Sequence, residues 1–446
     1  MALAIIAAAY LGYGLVSHRL RSTVITAPMV FTGLGLLIGP LGLSLVSNGT
    51  DLGLATFVFE LTLVLVLFSD AYAIDAGRLV RERTLPLRLL AVGLPLTIGV
   101  GWAFAAVMFA GLDVWEAALV GAVLAPTDAS LAQTVIVDRR VPRPIRDGLN
   151  VESGLNDGVA LPFVLIFLGF ATEAAGDGGR SVAEIFVRAL AVSALIGGLV
   201  GWISGRLIVG ARQRGWAAAT WYPLVLLAAA LFAYATAGLV DGSGFIAAWV
   251  AGLTAGMAVR RRTRLVGADD RLVPAAEDRA EPTFLDGLGA LLTTASYLVF
   301  GALLLGPELA GFTAPVLVFA VLALTVVRMV PVVLSLVRTH LGRPTIAFVG
   351  WFGPRGLASI VFTFLIIEEE LPNVPLIATI VAATVTLSIV AHGVTSAWGT
   401  RRYGAWYEAA ARRDPSMPEA AEHTPVGGRR AIALAGSGVR HESQGR

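Results

Sequence analysis

The sequence is dominated by apolar runs of about 20 residues, the length that a helix needs to cross the hydrocarbon core of a bilayer. Residues are 56% hydrophobic and 14% charged, whereas soluble domains carry about 25% charged residues. We therefore predict an all-α polytopic membrane protein with about 13 transmembrane helices. The predicted spans lie near 2–18, 23–43, 52–69, 86–110, 114–137, 148–171, 183–205, 217–239, 243–259, 284–305, 311–337, 344–367 and 374–399.

Arginine alternates between the two sides of these spans. The odd-numbered connections carry arginine throughout, whereas the even-numbered ones hold only Arg180 and Arg188, together with several Asp and Glu residues. Because positive charge marks the cytoplasmic side, the pattern predicts an N-terminus outside and a C-terminus in the cytoplasm. Residues 1–400 form the predicted transmembrane domain. Residues 401–446, rich in Arg, Pro, Gly and Ala, are predicted to be a disordered cytoplasmic tail.

Three ionisable residues are expected at one depth in three different spans. Asp128 in span 5 and Asp157 in span 6 each lie about nine residues from the cytoplasmic end, or about 14 Å along a helix. Arg355 in span 12 lies about 16 Å in by the same measure. Charge inside a membrane is costly and usually functional, so the shared depth predicts a site near the midplane.

Two of these spans are also predicted to be broken. Span 5 contains "APTD", with Pro126, and span 12 contains "WFGPRG", with Pro354 between two glycines. Spans 5 and 12 occupy matching places in two six-span halves, 1–6 and 8–13. Paired interruptions of this kind indicate inverted repeats whose broken helices cross at a transport site.

Span 6 reads "ESGLNDG" and supplies further polar groups. Ser153 and Asp157 are four residues apart and share a helix face. Glu152 faces sideways, and Arg355 is its expected ion-pair partner. Asn156 either holds the broken helices by hydrogen bonds or simply packs between helices.

The expected oxygen donors at the site are the side chains of Asp157, Asp128, Thr127 and Ser153, together with carbonyls freed by the breaks. Hard oxygens suit a hard cation. A carboxylate that binds either a cation or a proton makes the two compete, as an exchanger requires.

At these motifs the chain resembles the monovalent cation:proton antiporters, in particular the Na⁺/H⁺ exchanger (NhaP-like) branch. "APTD", "ESGLNDG" and "GPRG" carry the resemblance, which covers about residues 1–400. It implies that Asp157 binds the cation and the proton, that Asp128, Thr127 and Ser153 are further Na⁺ ligands, and that Glu152 and Arg355 pair. Asn156, where electrogenic relatives carry Asp, implies electroneutral 1:1 exchange.

The resemblance also implies a homodimer in a bacterial inner membrane that serves pH and sodium homeostasis. By the same resemblance, each protomer would have a dimerisation bundle and a moving core. Its partners are the lipid bilayer, Na⁺ (Li⁺ and K⁺ being alternatives) and H⁺. No cofactor, enzymatic activity or nucleic acid is expected.

A second function stays open from the residues alone. An intramembrane aspartyl protease also uses two buried aspartates on neighbouring spans, here Asp128 and Asp157, although the "PTD" and "LND" contexts differ from those of such proteases. The sequence assigns no role to Glu60, Arg328 or His392, which stands where the family often has Gln.

Overall fold

The computed structural model describes residues 2–20, 23–45, 52–74, 84–174, 182–266, 284–369 and 371–420. Within these ranges the regular structure is helical and no strand is present. Seven of the described helices are long and apolar enough to cross a membrane, and four shorter ones are also apolar. The prediction of an all-helical, multi-span membrane fold is confirmed.

Helices lie over all thirteen predicted spans. In chain order they are α1 (Ala2–Leu20), α2 (Ala27–Ile38), α3 (Leu52–Ala73), α4 (84–108, with a π-helical turn at Leu89–Gly93), α5a (Val114–Val123), α5b (Ala129–Ile136), α6 (Arg143–Ala174), α7 (Val182–Gln213), α8 (Tyr222–Gly238), α9 (Gly244–Val266), α10 (284–308, with a π-helical turn at Phe300–Leu305), α11a (Ala314–Leu324), α11b (Val326–Ser335), α12a (Arg343–Trp351), α12b (Leu357–Ile367) and α13 (Val374–Arg413).

The interruptions of α5 and α12 follow from local chemistry. Pro126 lacks an N–H group and restricts the residue before it, so α5a ends at Val123. Asp128 then starts α5b as its N-cap, because its side chain accepts a hydrogen bond from the N–H of Ser130. In α12 the Gly353–Pro354 pair separates the two half-helices. These are the fifth helices of the two predicted halves.

The helices form two packed groups. One contains α2, α3, α7, α8, α9 and α10, which pack on one another in sequence-distant pairs; α1 joins it through the ring contact of Tyr10 with Phe31. The other contains α4, α5, α6, α11, α12 and α13. The groups touch where α6 meets α3, α7 and α9, where α12b meets α3 and α10, and where α13 meets α2 and α10. The interrupted helices α5, α11 and α12 all belong to the second group, so their broken segments lie inside one packed unit.

The end of the chain differs from the prediction. We expected a disordered tail from residue 401, but α13 continues to Arg413 and the described chain runs to Ala420; residues 421–446 lie outside the described part. The reason is packing: Tyr403 stacks on Phe348 of α12a with ring centroids 4.2 Å apart. The alternation of apolar residues was too weak to reveal this contact in the sequence.

Glu419 fastens this segment to α12a. Its side chain is buried, and its Oε1 accepts hydrogen bonds from the N–H of Gly342 (2.7 Å) and the hydroxyl of Thr345 (2.6 Å). Gly342 is the N-cap residue of α12a. A carboxylate at a helix N-terminus satisfies free N–H groups and complements the positive end of the helix dipole.

Glu419→Ala is expected to lower the midpoint of thermal unfolding of the purified protein. The change removes the acceptor of the Gly342 N–H and leaves the Thr345 hydroxyl with Tyr403 as its other partner, at a cost of about 1–3 kcal/mol. Glu408→Ala is the matched control, because Glu408 is exposed on the same end of α13. Equal midpoints for the two variants would contradict the assigned contact.

Candidate functional site

Asp128 joins the two broken helices. Its Oδ1 accepts from the N–H of Ser130 (2.6 Å) at the start of α5b, and its Oδ2 accepts from the N–H of Leu357 (2.8 Å) at the start of α12b. The N–H of Asp128 itself donates to the carbonyl of Pro354 (2.8 Å). One carboxylate therefore caps two helix N-termini, which a bilayer interior requires because free N–H groups find no water there.

Two further residues surround this carboxylate. The hydroxyl of Tyr297, on α10, donates to Asp128 Oδ2. Gly356 gives the carboxylate room, since a Cβ there would lie 2.1 Å from Asp128 Oδ2. Tyr297 was not predicted as a site residue, because nothing in a single sequence indicates that α10 reaches the break of α5.

Arg355 does not pair with Glu152, contrary to our prediction. The guanidinium Nη1 of Arg355 donates to the carbonyls of Ala125 (2.5 Å) and Pro126 (3.0 Å). These carbonyls follow the C-terminus of α5a, where the helix dipole is negative and cations are favoured. Arg355 is fully buried. It binds the break of α5 directly, so its partner is backbone and not a carboxylate.

Glu152 pairs with Arg328 instead. The two guanidinium nitrogens of Arg328 donate to the two carboxylate oxygens at 2.7 and 3.0 Å, a bidentate geometry. Both side chains are 3% exposed. Arg328 lies on α11b and packs against Gly353, where a Cβ would lie 2.4 Å from its Nε. Arg328, to which the sequence assigned no role, is thus the ion-pair partner of Glu152 beside the break of α12.

Asp157 differs from both of these acids. It lies on α6, is 6% exposed, and its Oδ1 has no hydrogen-bond partner among the described residues. Asp128 and Asp70 both repel its carboxylate electrostatically. A buried carboxylate among two others is unfavourable unless a cation or a proton compensates it.

The predicted hydroxyl and amide groups meet beside Asp157. Thr127 Oγ1 lies 3.1 Å from Ser153 Oγ and accepts a hydrogen bond from Asn156 Nδ2 (2.6 Å). Asn156 Oδ1 is buried without a partner among the described residues. Of the two roles considered for Asn156, the structure supports the hydrogen bond that holds the broken helix.

Asp70 is the acidic residue that the sequence analysis missed. It lies on α3, one residue beyond the predicted end of span 3, and the observed helix continues to Ala73. A Cβ at Gly154 would lie 3.2 Å from the Cβ of Asp70, so α3 approaches α6 closely there. In the sequence Asp70 is only an acid next to a span boundary, and such a position does not by itself predict a site residue.

Glu60, the other acid of α3, lies elsewhere. It hydrogen-bonds Tyr234 on α8, and the like charge of Glu368, just after α12b, repels it. With Glu368 it lines an open cleft of about 310 Å³ together with Gly53, Thr56, Phe57, Phe364 and Ile367. Glu60 is not among the predicted site residues, and its contacts are with α8 and the end of α12b.

The donor set is made of carboxylate, hydroxyl and amide oxygens, which suit hard cations. It does not resemble a protease dyad, because both oxygens of Asp128 are already occupied by three donors from protein groups. Crossed, interrupted helices that gather carboxylates inside a multi-span helical fold define a secondary transporter. The chain belongs to the sodium/hydrogen exchanger family, whose transmembrane model matches residues 4–401.

Individual relatives agree with this assignment. The K(+)/H(+) antiporter NhaP of Alkalimonas amylolytica is 27% identical over 383 residues, covering 85% of this chain and 62% of that protein. NhaP2 of Shewanella oneidensis, also named a K(+)/H(+) antiporter, is 24% identical over 311 residues, covering 69% of this chain and 51% of that protein. The chain therefore spans between half and two thirds of the length of these two relatives.

A solved structure shows the same fold. The sodium proton antiporter MjNhaP1 from Methanocaldococcus jannaschii superposes with a TM-score of 0.71 at 20% identity. The match covers 88% of this chain and 98% of that structure.

A double-mutant cycle tests the reassigned ion pair. Glu152→Gln and Arg328→Met should each destabilise the protein strongly, by about 3–5 kcal/mol, because each leaves a buried charge unpaired. The double variant should lose clearly less than the sum, as read from thermal unfolding midpoints. The parallel cycle of Glu152→Gln with Arg355→Met should show the smaller coupling. A larger coupling to Arg355 would restore the original pairing.

Proposed function

We propose that the protein exchanges a monovalent cation for a proton across the membrane. The observation that carries the proposal is Asp157, a buried carboxylate whose Oδ1 has no partner among the described residues and on which the like charges of Asp128 and Asp70 act. A bound cation or a bound proton would each relieve the repulsion, and the two would exclude each other. Family membership and the names of the relatives support the same activity.

The roles of the surrounding residues follow from their contacts. Asp157 is the shared binding group, and Asp128, Thr127 and Ser153 supply the other oxygens predicted from the sequence. Asp70 adds a third carboxylate. Asn156 orients Thr127, whereas Glu152, Arg328 and Arg355 hold the helices in place. Alternating access would move the α4–α6 and α11–α13 group against the other helices and carry the site with it.

The transported ion is Na⁺ or K⁺, with Li⁺ as a further substrate. Relatives named for K⁺ and a structural neighbour named for sodium support both. The same types of oxygen donor bind either ion, so the selectivity has to be measured by comparing the ions directly. Cation-dependent proton flux in proteoliposomes, measured in turn with Na⁺, Li⁺ and K⁺, gives the selectivity.

The cellular setting proposed from the sequence is unchanged. The protein would act as a homodimer in a bacterial inner membrane, with the N-terminus outside and the C-terminus in the cytoplasm, and serve pH and sodium homeostasis. The arginine alternation supports this orientation, since arginine concentrates on one side of the helices.

Asp157→Asn is expected to reduce cation-dependent proton flux to the level of empty liposomes, because an amide can neither bind the proton nor neutralise the cation. Asp70→Asn should retain flux but raise the apparent KM for the cation about tenfold, the effect of losing one supporting charge. Glu60→Gln, on the same helix but outside the site, is the control and should behave as wild type. Substantial exchange by Asp157→Asn would remove that residue from the central role.

Exchange is further expected to be electroneutral, one cation for one proton. Asn156 cannot titrate, so Asp157 is the only acid in its motif that changes occupancy, and each transit carries the same net charge. A membrane potential, at about 2.3 kcal/mol per charge per 100 mV, then has no charge to act on. On solid-supported membranes, a saturating cation step should give no sustained current while a pH dye still reports flux. A sustained current would mean that a second acid titrates.

A further inference from the structure

His392 lies against the broken segment of α12 and has no role in the site described above. It is on α13 and 1% exposed. Its ring stacks on that of Trp351, with centroids 5.2 Å apart and an angle of 28° between the planes. Nε2 faces the Trp351 carbonyl at one end of the break, and Nδ1 faces the Ser388 hydroxyl, which contacts the other end.

The first end is the C-terminus of α12a. His392 Nε2 lies 2.8 Å from the carbonyl oxygen of Trp351, the last residue of that half-helix. A carbonyl only accepts, so Nε2 carries the hydrogen and donates it. Carbonyls at a helix C-terminus lack partners within the helix, and inside a membrane they must find one elsewhere.

The second end is reached through Ser388. The Ser388 hydroxyl oxygen accepts a hydrogen bond from the N–H of Arg355 (2.7 Å), just before α12b, and lies 3.2 Å from His392 Nδ1. The hydroxyl keeps its own hydrogen free to donate to Nδ1. A chain of hydrogen bonds thus runs from Arg355 through Ser388 and His392 to Trp351.

The alternative is a charged ring. Nδ1 also lies 2.9 Å from the carbonyl of Ser388, to which an N–H would donate. The charged groups that act on the ring are Arg355 and Arg328, both positive, and burial adds to their effect. A third positive charge is therefore disfavoured here. The neutral ring with hydrogen on Nε2 donates to the Trp351 carbonyl and accepts from the Ser388 hydroxyl. The Ser388 carbonyl lies inside α13, where the N–H four residues further on is its helical donor.

We propose that His392 is a positioning residue: as a neutral donor and acceptor it bridges the two ends of the broken α12 and fixes the segment that contains Arg355 and contacts Asp128. On the other side this segment is held by Asp128, whose N–H and Oδ2 contact Pro354 and Leu357. The bridge from α13 therefore sets where the break lies relative to the carboxylates. The inference rests on the proposed cation site and adds a residue that touches no ion.

The chemistry specifies which substitutions preserve the bridge. Glutamine offers an N–H group and a carbonyl oxygen, so it can donate to Trp351 and accept from Ser388 without any titratable proton. Leucine fills a similar space and can do neither. Ser388→Ala removes the same bridge one link earlier and leaves His392 in place.

The test measures cation-dependent proton flux in proteoliposomes against cation concentration and pH, alongside thermal unfolding. His392→Leu should raise the apparent KM for the cation about tenfold, as for the loss of one to two hydrogen bonds, and Ser388→Ala should change it in the same direction. His392→Gln should stay within about twofold of wild type and keep its pH profile. His18→Leu, at an exposed histidine of α1, is the control and should have no effect.

Each outcome decides a separate question. An unchanged KM in both His392→Leu and Ser388→Ala overturns the bridge, and so does a pH profile that His392→Gln abolishes, which would make the histidine a titrating group. If His392→Leu does not fold, Ser388→Ala and the glutamine variant still decide. Absence of flux in the wild type would instead remove the proposed function.

Discussion

The structure depends on one constraint: a helix that stops inside a membrane leaves N–H and C=O groups that water cannot reach. At the two breaks, side chains from each interrupted helix hydrogen-bond the free backbone groups of the other. The Asp128 carboxylate serves the N-termini of α5b and α12b, and the Arg355 guanidinium serves the carbonyls after α5a. Neither broken helix can shift alone without exposing unpaired groups, so the crossing behaves as a single piece.

The buried acids are consequently not equivalent. Glu152 is neutralised by Arg328, and Asp128 is fully engaged by backbone N–H groups and a tyrosine. Asp157 has neither arrangement. A buried carboxylate oxygen without a protein partner is unfavourable, and under the proposed function a bound cation or proton would compensate it.

The sequence allowed the span pattern, both breaks and the Thr127–Ser153–Asn156 cluster to be predicted, because each depends on composition or on spacing within one helix. It did not allow the partner of Glu152 to be chosen. Arg355 and Arg328 lie on different predicted spans, and the depth of a residue in the membrane does not show which of these spans lies beside α6. Asp70 was not predicted, because the predicted span 3 ended one residue before it. The end of α13 was not predicted, because it depends on a packing contact between Phe348 and Tyr403, which are 55 positions apart.

The length of α13 has a consequence of a different kind. Its 40 residues extend about 60 Å, whereas a bilayer with its headgroups is about 40–45 Å thick. The helix must therefore extend beyond the membrane, and it belongs to the group of helices that the proposed alternating access would move. A tilt of about 10° at Ser388, beside the crossing, would swing Arg413 by about 6.5 Å, because about 38 Å of helix separates the two residues. A spectroscopic label on an exposed residue there, such as Glu408, would report the motion of the buried site from water, where no label could reach it directly.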